Sequence, residues 1–184
     1  MKQLFIALIR PHLEFAQSVW SPQHIQDQQL IEGVLHRATK YIHGLKDAEY
    51  SDRLKRMTIP SMSYRRMRGD LIEVYKFMNN MYKCGNPFVV CKSGITRGHK
   101  FKLVKHFCVT NVRKHFFSNR VVNLWNSLDE ATVEAATLNS FKNRIDKRFR
   151  EFMYCDRIDY NQCATNSKLR DATPDPQSCT SEEY

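Results

Sequence analysis

The apolar positions of this chain fall into runs of helical period, separated by breaks rich in Pro, Gly and Ser. The clearest run lies in Ser61–Tyr82. There Met67, Leu71, Val74, Tyr75, Met78, Met81 and Tyr82 recur at steps of three and four, and so share one face. Pro60 blocks a helix arriving from upstream, Ser61 or Ser63 can accept a free first-turn N–H, and Cys84-Gly85-Asn86-Pro87 predicts the stop. Residues 2–19 predict a helix kinked at Pro11, with so little polar face up to Ile9 that burial on most sides is expected. Met1 stands almost inside that helix, which reads as a segment lacking its upstream neighbour. A further helix is expected from about His24 to His43, with a stripe of Ile31, Val34, Leu35, Ala38, Tyr41 and Ile42 and a stop at Gly44. A short helix over Ser51–Met57 precedes Pro60. Ser118 caps a helix through Leu128, and Phe141, Ile145, Phe149 and Phe152 form the stripe of a last one, Thr137–Met153.

One stretch breaks the helical pattern. Lys100, Phe101, Lys102 and Leu103 alternate as a strand would, and Thr110-Asn111 offers a turn, so a small hairpin is expected between Gly98 and Phe116. Beyond Tyr154 the apolar period disappears and Asn, Gln, Ser, Thr, Asp and two prolines take over. The expected fold is therefore mainly α: a helical domain over residues 1–153 with one small β-hairpin, then a disordered acidic and polar tail over residues 154–184.

Charge sharpens this division. Residues 1–153 carry 26 Lys and Arg against 13 acids, whereas the tail carries three against six. A body so basic favours acidic partners such as nucleic acid or anionic lipid. The six cysteines form no C-x-x-C pair and nothing reads as a secretory signal, so free thiols in a reducing, intracellular compartment are expected. No apolar run approaches the roughly 20 residues that a membrane span needs, and no membrane partner is expected.

The cations lack local partners. Arg65, Arg66 and Arg68 sit in the first turns of the central helix, where the helix dipole disfavours them, and Arg65 and Arg68 have no acid at helical spacing. An anion bound near the helix start explains them; so does a solvated face. Arg37 and Lys40 also lack such acids, although Lys40 suits the C-terminal end of its helix. From Val74 to Leu128 there are 55 residues without Asp or Glu, and that window holds Lys100, Lys102, Lys105, Arg97, Arg113, Lys114 and Arg120 among its ten Lys and Arg. Phe101, Phe107, Phe116 and Phe117 are interleaved with them. Unpaired cations with aromatics suit phosphate contacts plus base stacking, while most of these aromatics, with Trp125, are also needed for a core.

Catalytic signatures are weak. Tyr50-Ser-Asp52-Arg53 and Tyr154-Cys-Asp156-Arg157 begin like the Tyr-x-Asp-Asp of reverse transcriptases, but each ends in Arg, which is no metal ligand. There is no Gly-rich phosphate loop and no G-x-S-x-G elbow. Cys84, Cys91, His99, His106 and Cys108 are spaced too widely for a compact zinc finger. No cofactor and no catalytic residue is assigned.

Several segments resemble one family in order. Ile9-Arg-Pro-His-Leu-Glu-Phe-Ala16 through Val19-Trp-Ser-Pro22 is similar to the start of the region just downstream of the reverse-transcriptase palm in jockey-like non-LTR retrotransposons. His36-Arg-Ala-Thr-Lys40, Tyr64-Arg-Arg-Met-Arg-Gly-Asp-Leu-Ile-Glu-Val-Tyr-Lys76, Thr96-Arg-Gly-His99, Phe117-Ser-Asn-Arg-Val-Val-Asn123 with Trp125-Asn126, and Phe141-Lys-Asn-Arg-Ile-Asp146 follow in that family's order. The resemblance covers roughly residues 3–153 and implies a thumb-like, helical part of an RNA-directed DNA polymerase that grips RNA or an RNA–DNA hybrid. It also implies that the endonuclease and the palm, with its metal-binding aspartates, lie upstream, so no enzyme activity of this stretch alone is expected. Its basic motif positions are Arg37, Lys40, Arg65, Arg66, Arg68, Arg97 and Arg120. Two rival readings are an inert decayed fragment and a host-adopted protein-interaction module. The apolar segment 3–20 makes self-association a further expectation.

Overall fold

The computed structural model describes residues 2–91 and 98–165, and over these the chain is mainly helical. Its first helical segment runs through α1 (Lys2–Leu4), a π-helical stretch (Phe5–Ile9) and α2 (Arg10–Glu14). Pro11 cannot donate to the carbonyl four residues back, and the ladder slips to longer bonds just before it, with Arg10 N–H donating to the Phe5 carbonyl. The real break comes later, at Ala16, whose φ of 49° is left-handed, before α3 (Gln17–Trp20). The expected burial of this segment is not found. Only Phe5 is buried; Leu4, Leu8, Phe15 and Val19 are each more than half exposed.

Next come α4 (Ile25–Lys40), α5 (Tyr50–Met57) and α6 (Met62–Met78), which packs against α3, α4 and α11 (Leu138–Arg148). The α6 stripe behaves as its spacing predicts: Met67, Leu71, Val74 and Tyr75 are all at most 1% exposed. Ser61 caps the helix, its Oγ accepting from Tyr64 N–H at 3.1 Å. The helix ends earlier than expected, at Asn79 and the left-handed Asn80, so Met81 and Tyr82 fall outside it and are exposed.

Helix α6 crosses two cores. At its start, Met62 joins Phe5, Leu35, Leu54, Met57 and Ile59. Further on, it faces the larger core of α9 (Val122–Asn126), α11 and α12 (Tyr160–Thr165), where the Tyr75 and Phe141 rings stack at 4.3 Å and Trp125 is fully buried. Along the chain between α6 and α11 come also α7 (Asn111–His115), α8 (Phe117–Arg120) and α10 (Glu130–Val133), of which α8 and α10 add Phe117 and Val133 to the larger core. The helix expected from Ser118 to Leu128 is thus two short helices meeting at Val121, and the one expected to reach Met153 ends in a 3₁₀ turn at Arg150–Phe152.

Two further expectations need correction. The hairpin does not form: among the described residues only an isolated antiparallel bridge joins Val90 and Leu103. Leu103 instead exchanges two hydrogen bonds with the Asn126 side chain, its N–H donating at 2.8 Å and its carbonyl accepting at 2.9 Å. Thr110 is not a turn residue but the N-cap of α7. The tail also begins later than position 154. Cys163 is 2% exposed in the main core, Ser63 Oγ donates to the Asp156 carbonyl at 2.7 Å, and α12 packs on α9. The disorder expected further on falls on residues 166–184, outside the described residues.

Candidate functional site

The start of α6 already holds an anion, and it is the protein's own. Glu32 on α4 accepts from Met62 N–H at 3.1 Å and Ser63 N–H at 3.0 Å, and from the Tyr50 hydroxyl at 2.6 Å. Burial raises the Glu32 carboxyl, and these hydrogen bonds oppose that rise. The external anion expected at this helix start is therefore replaced by an internal carboxylate.

The neighbouring arginines are likewise engaged, by partners far away in sequence. Arg65 forms a two-pronged pair with Glu14 at the end of α2, its Nη2 donating at 2.8 Å. Arg68 donates to both oxygens of Asp146 on α11, at 2.5 and 2.8 Å, which raises its guanidinium above the ordinary value. Arg120 at the end of α8 is the most committed. It grips Asp70 of α6 with two bonds of 2.9 Å and donates to the Ser18 carbonyl at 3.0 Å and the His115 carbonyl at 3.2 Å. The Tyr160 hydroxyl also donates to Asp70, at 2.9 Å. Burial raises the Asp70 carboxyl, and the Arg120 fork and Tyr160 oppose it. One buried carboxylate thus ties α3, α6, α8 and α12 together.

Above this knot lies a cleft of about 330 Å³. Its wall comes from the α3–α4 connection (Ser21, Pro22, Gln23), from α6 (Ser63, Arg66), from Lys105, from α7 (Lys114, His115) and from the segment Arg157–Asn161. Exposure grades the lining cations. Arg66 is 5% exposed, Arg120 is half-buried, and Lys105, Lys114 and Arg157 are exposed at the rim. Arg66 Nη2 donates to Ser63 Oγ at 3.0 Å, but its buried Nη1 has no partner among the described residues. Burial lowers the Arg66 guanidinium below its ordinary value, with Arg120 adding to the effect. The single acid on the wall is Asp159. Beside the rim, Phe107 is 93% exposed and Phe116 half exposed.

The positions expected to bind therefore separate. Arg66, Lys105, Lys114 and Arg120 line the cleft, though Arg120 spends its donors on Asp70 and two carbonyls. Arg113 is exposed on α7 next to Lys114, with its guanidinium over the Phe116 ring at 5.4 Å. Arg65 and Arg68 border a different hollow, lined also by Glu14, Glu73 and Lys142. Lys100 pairs with Glu134 at 2.6 Å, and Lys102 lies half-buried beside Gly98. Arg37 and Lys40 are exposed in the last turn of α4 and take no part in the cleft. Arg97 lies outside the described residues.

Two contributors carry no mark in the sequence: Arg157 lies in a stretch whose composition predicts a tail, and His115 lies in the acid-free window outside any motif. The aromatics divide as well: Phe101, Phe117 and Trp125 belong to the main core, whereas Phe107 and Phe116 do not.

No family model, no curated protein and no solved structure matches this chain. Among the described residues, no group of three or more His, Cys, Asp and Glu is placed to hold a metal ion. No described helix is long and apolar enough to cross a membrane.

Proposed function

We propose that this chain is a nucleic-acid-binding segment resembling the post-palm, thumb-like region of a jockey-like non-LTR reverse transcriptase, with RNA or an RNA–DNA hybrid as its partner. The observation that carries this reading is the cleft. Arg66, Lys105, Lys114 and Arg157 come from four separate stretches to one cavity, and no carboxylate bridges any of them among the described residues. Cations held without acids beside exposed aromatics suit a phosphate backbone with bases stacked on Phe107 and Phe116. In this reading the segment grips template and primer and performs no polymerisation by itself, because the family resemblance assigns the metal-binding aspartates to the palm.

The test is binding of labelled single-stranded RNA and an RNA–DNA hybrid across a series of salt concentrations. The expected result is affinity that falls linearly in log–log form, by about one unit of slope per phosphate contact. Absence of salt-dependent binding to either nucleic acid overturns the proposal.

The protein-interaction reading has its own support in the exposed row Leu4, Leu8, Phe15 and Val19. It predicts concentration-dependent association that Leu8→Glu abolishes, with nucleic-acid affinity untouched.

A further inference from the structure

We propose that the cleft takes a terminal phosphate monoester, such as the phosphorylated end of a strand or a free mononucleotide, in preference to a phosphodiester within a strand. This inference rests on the nucleic-acid reading for its natural ligand but concerns the chemistry of the cleft itself.

The argument starts from depth. Arg66 is the most buried cation of the wall, and its Nη1 is the one donor among the two side-chain atoms of that wall, with Gln23 Oε1, that are buried without a partner among the described residues. A ligand oxygen that reaches it must pass the exposed rim of Lys105, Lys114 and Arg157. A diester carries two free oxygens and a strand leaving on each side, so both arms must be drawn into about 330 Å³ of space. That volume is at the small end of ligand pockets. A monoester has three free oxygens and one arm, and can enter end-on with its sugar and base directed outwards.

Charge points the same way. Arg120 is offset by Asp70, which leaves Arg66, Lys105, Lys114 and Arg157 facing the single acid Asp159. A diester brings one negative charge. A monoester brings about 1.5 to 2 near neutral pH, together with a further acceptor oxygen for charge-assisted bonds. Arg66 supplies a planar donor fork at depth and the lysines supply mobile point charges at the mouth, an arrangement that suits a compact tetrahedral anion. Phe107, two residues from Lys105, and Phe116, next to His115, are exposed rather than part of a core, which leaves their rings open to a base that follows the phosphate.

The experiment compares one short single-stranded RNA bearing a phosphate monoester at one end, at the other end, or at neither, with adenosine monophosphate as a separate ligand. Binding is read by fluorescence anisotropy and, for the mononucleotide, by calorimetry. One phosphorylated form is expected to bind about tenfold more tightly than the unphosphorylated strand. Lys114→Gln and the fork-removing Arg66→Lys are expected to abolish that preference, while Lys147→Gln, on the exposed face of α11, retains it. Because Lys114 is exposed, its variant reports on binding even if Arg66→Lys disturbs folding.

Equal, salt-dependent affinity for all three strands overturns the inference and leaves the nucleic-acid reading standing. Binding of adenosine monophosphate without binding of any strand upholds the monoester site and overturns the nucleic-acid reading, making a free nucleotide the ligand. Binding of neither strands nor mononucleotide overturns both.

Discussion

The arginines of α6 and α8 and the cations around the cleft look alike in sequence, yet the fold treats them oppositely. Arg65, Arg68 and Arg120 each close onto a carboxylate that lies 51, 78 and 50 residues away, with fork geometry and little exposure. Lys105, Lys114 and Arg157 sit on short or irregular segments at the surface and close onto none among the described residues. The difference teaches that a missing local acid says little about a cation on a packed helix, because the neighbours that matter come from other elements. Exposure alone does not free a cation, since Lys100 pairs with Glu134 from an exposed turn, but around the cleft no such neighbour arrives among the described residues.

The largest test of this contrast is Asp70→Ala. It strips Arg120 of its carboxylate and the Tyr160 hydroxyl of its acceptor inside the body of the domain. Breaking one partner of such a buried pair costs about 3–5 kcal/mol, so the melting temperature should collapse or the chain should fail to fold. A variant that melts like the parent would place Asp70 outside the structural set.

Arg65→Ala and Arg68→Ala come next. Their pairs are partly shielded, and each loss should cost about 1–2 kcal/mol in denaturant unfolding while the salt slope of nucleic-acid binding stays unaltered. A reduced slope with unchanged stability would return both residues to the binding surface, where the sequence alone had placed them. Lys105→Ala, Lys114→Ala and Arg157→Ala should show the reverse. Stability should stay within about 0.5 kcal/mol, and each should take about one unit from the salt slope.

The smallest effect concerns pH. Burial, with Lys114, Arg120 and His24 nearby, lowers His115 below its ordinary 6.5. Protonation there adds a positive charge to the cleft wall, and a bound phosphate favours it, so affinity for an unphosphorylated strand, whose diesters do not titrate in this range, should rise as pH falls below 6.5. Stability should move the other way. Burial also lowers His36 and His99, and for all three the unfolded chain takes up the proton first. Their contribution is present above the ordinary value and is lost as pH falls through it. Titrating binding and melting on the same His115→Gln variant separates the two signs.

Much of the helical frame was legible in the sequence. The stripe Met67, Leu71, Val74, Tyr75 fixed the buried face of α6, and Ser61 and Thr137 marked the starts of helices where they occur, whereas α4 ends at Lys40, short of the stop expected at Gly44. What could not be read was pairing at long range. The acid-free window from Val74 to Leu128 is real, but Asp70 and Glu134 just beyond its edges, and Asp146 further on, fold back onto cations within or beside it. The hairpin failed for a similar reason: a side-chain amide, Asn126, takes the backbone groups of Leu103 that a second strand would have taken, and nothing in local alternation announces it. Arg157 was obscured because the composition of the last thirty-odd residues is that of a tail, although Tyr160 and Cys163 anchor the first part of it.

The anchoring of Tyr160 on Asp70 also governs when the cleft comes into being. The contacts around it span about half of the chain: 90 residues between Tyr160 and Asp70, 93 between Ser63 and Asp156, and 102 between Arg120 and Ser18. Contacts so distant carry the full entropic cost of closing their loops and arrive after the local helices. During synthesis α4, α5 and α6 can meet while the wall formed by Arg157–Asn161 has yet to be translated. A growing chain therefore passes through a stage with a basic, half-built groove, and only the arrival of Arg157–Asn161 completes the wall of the cleft.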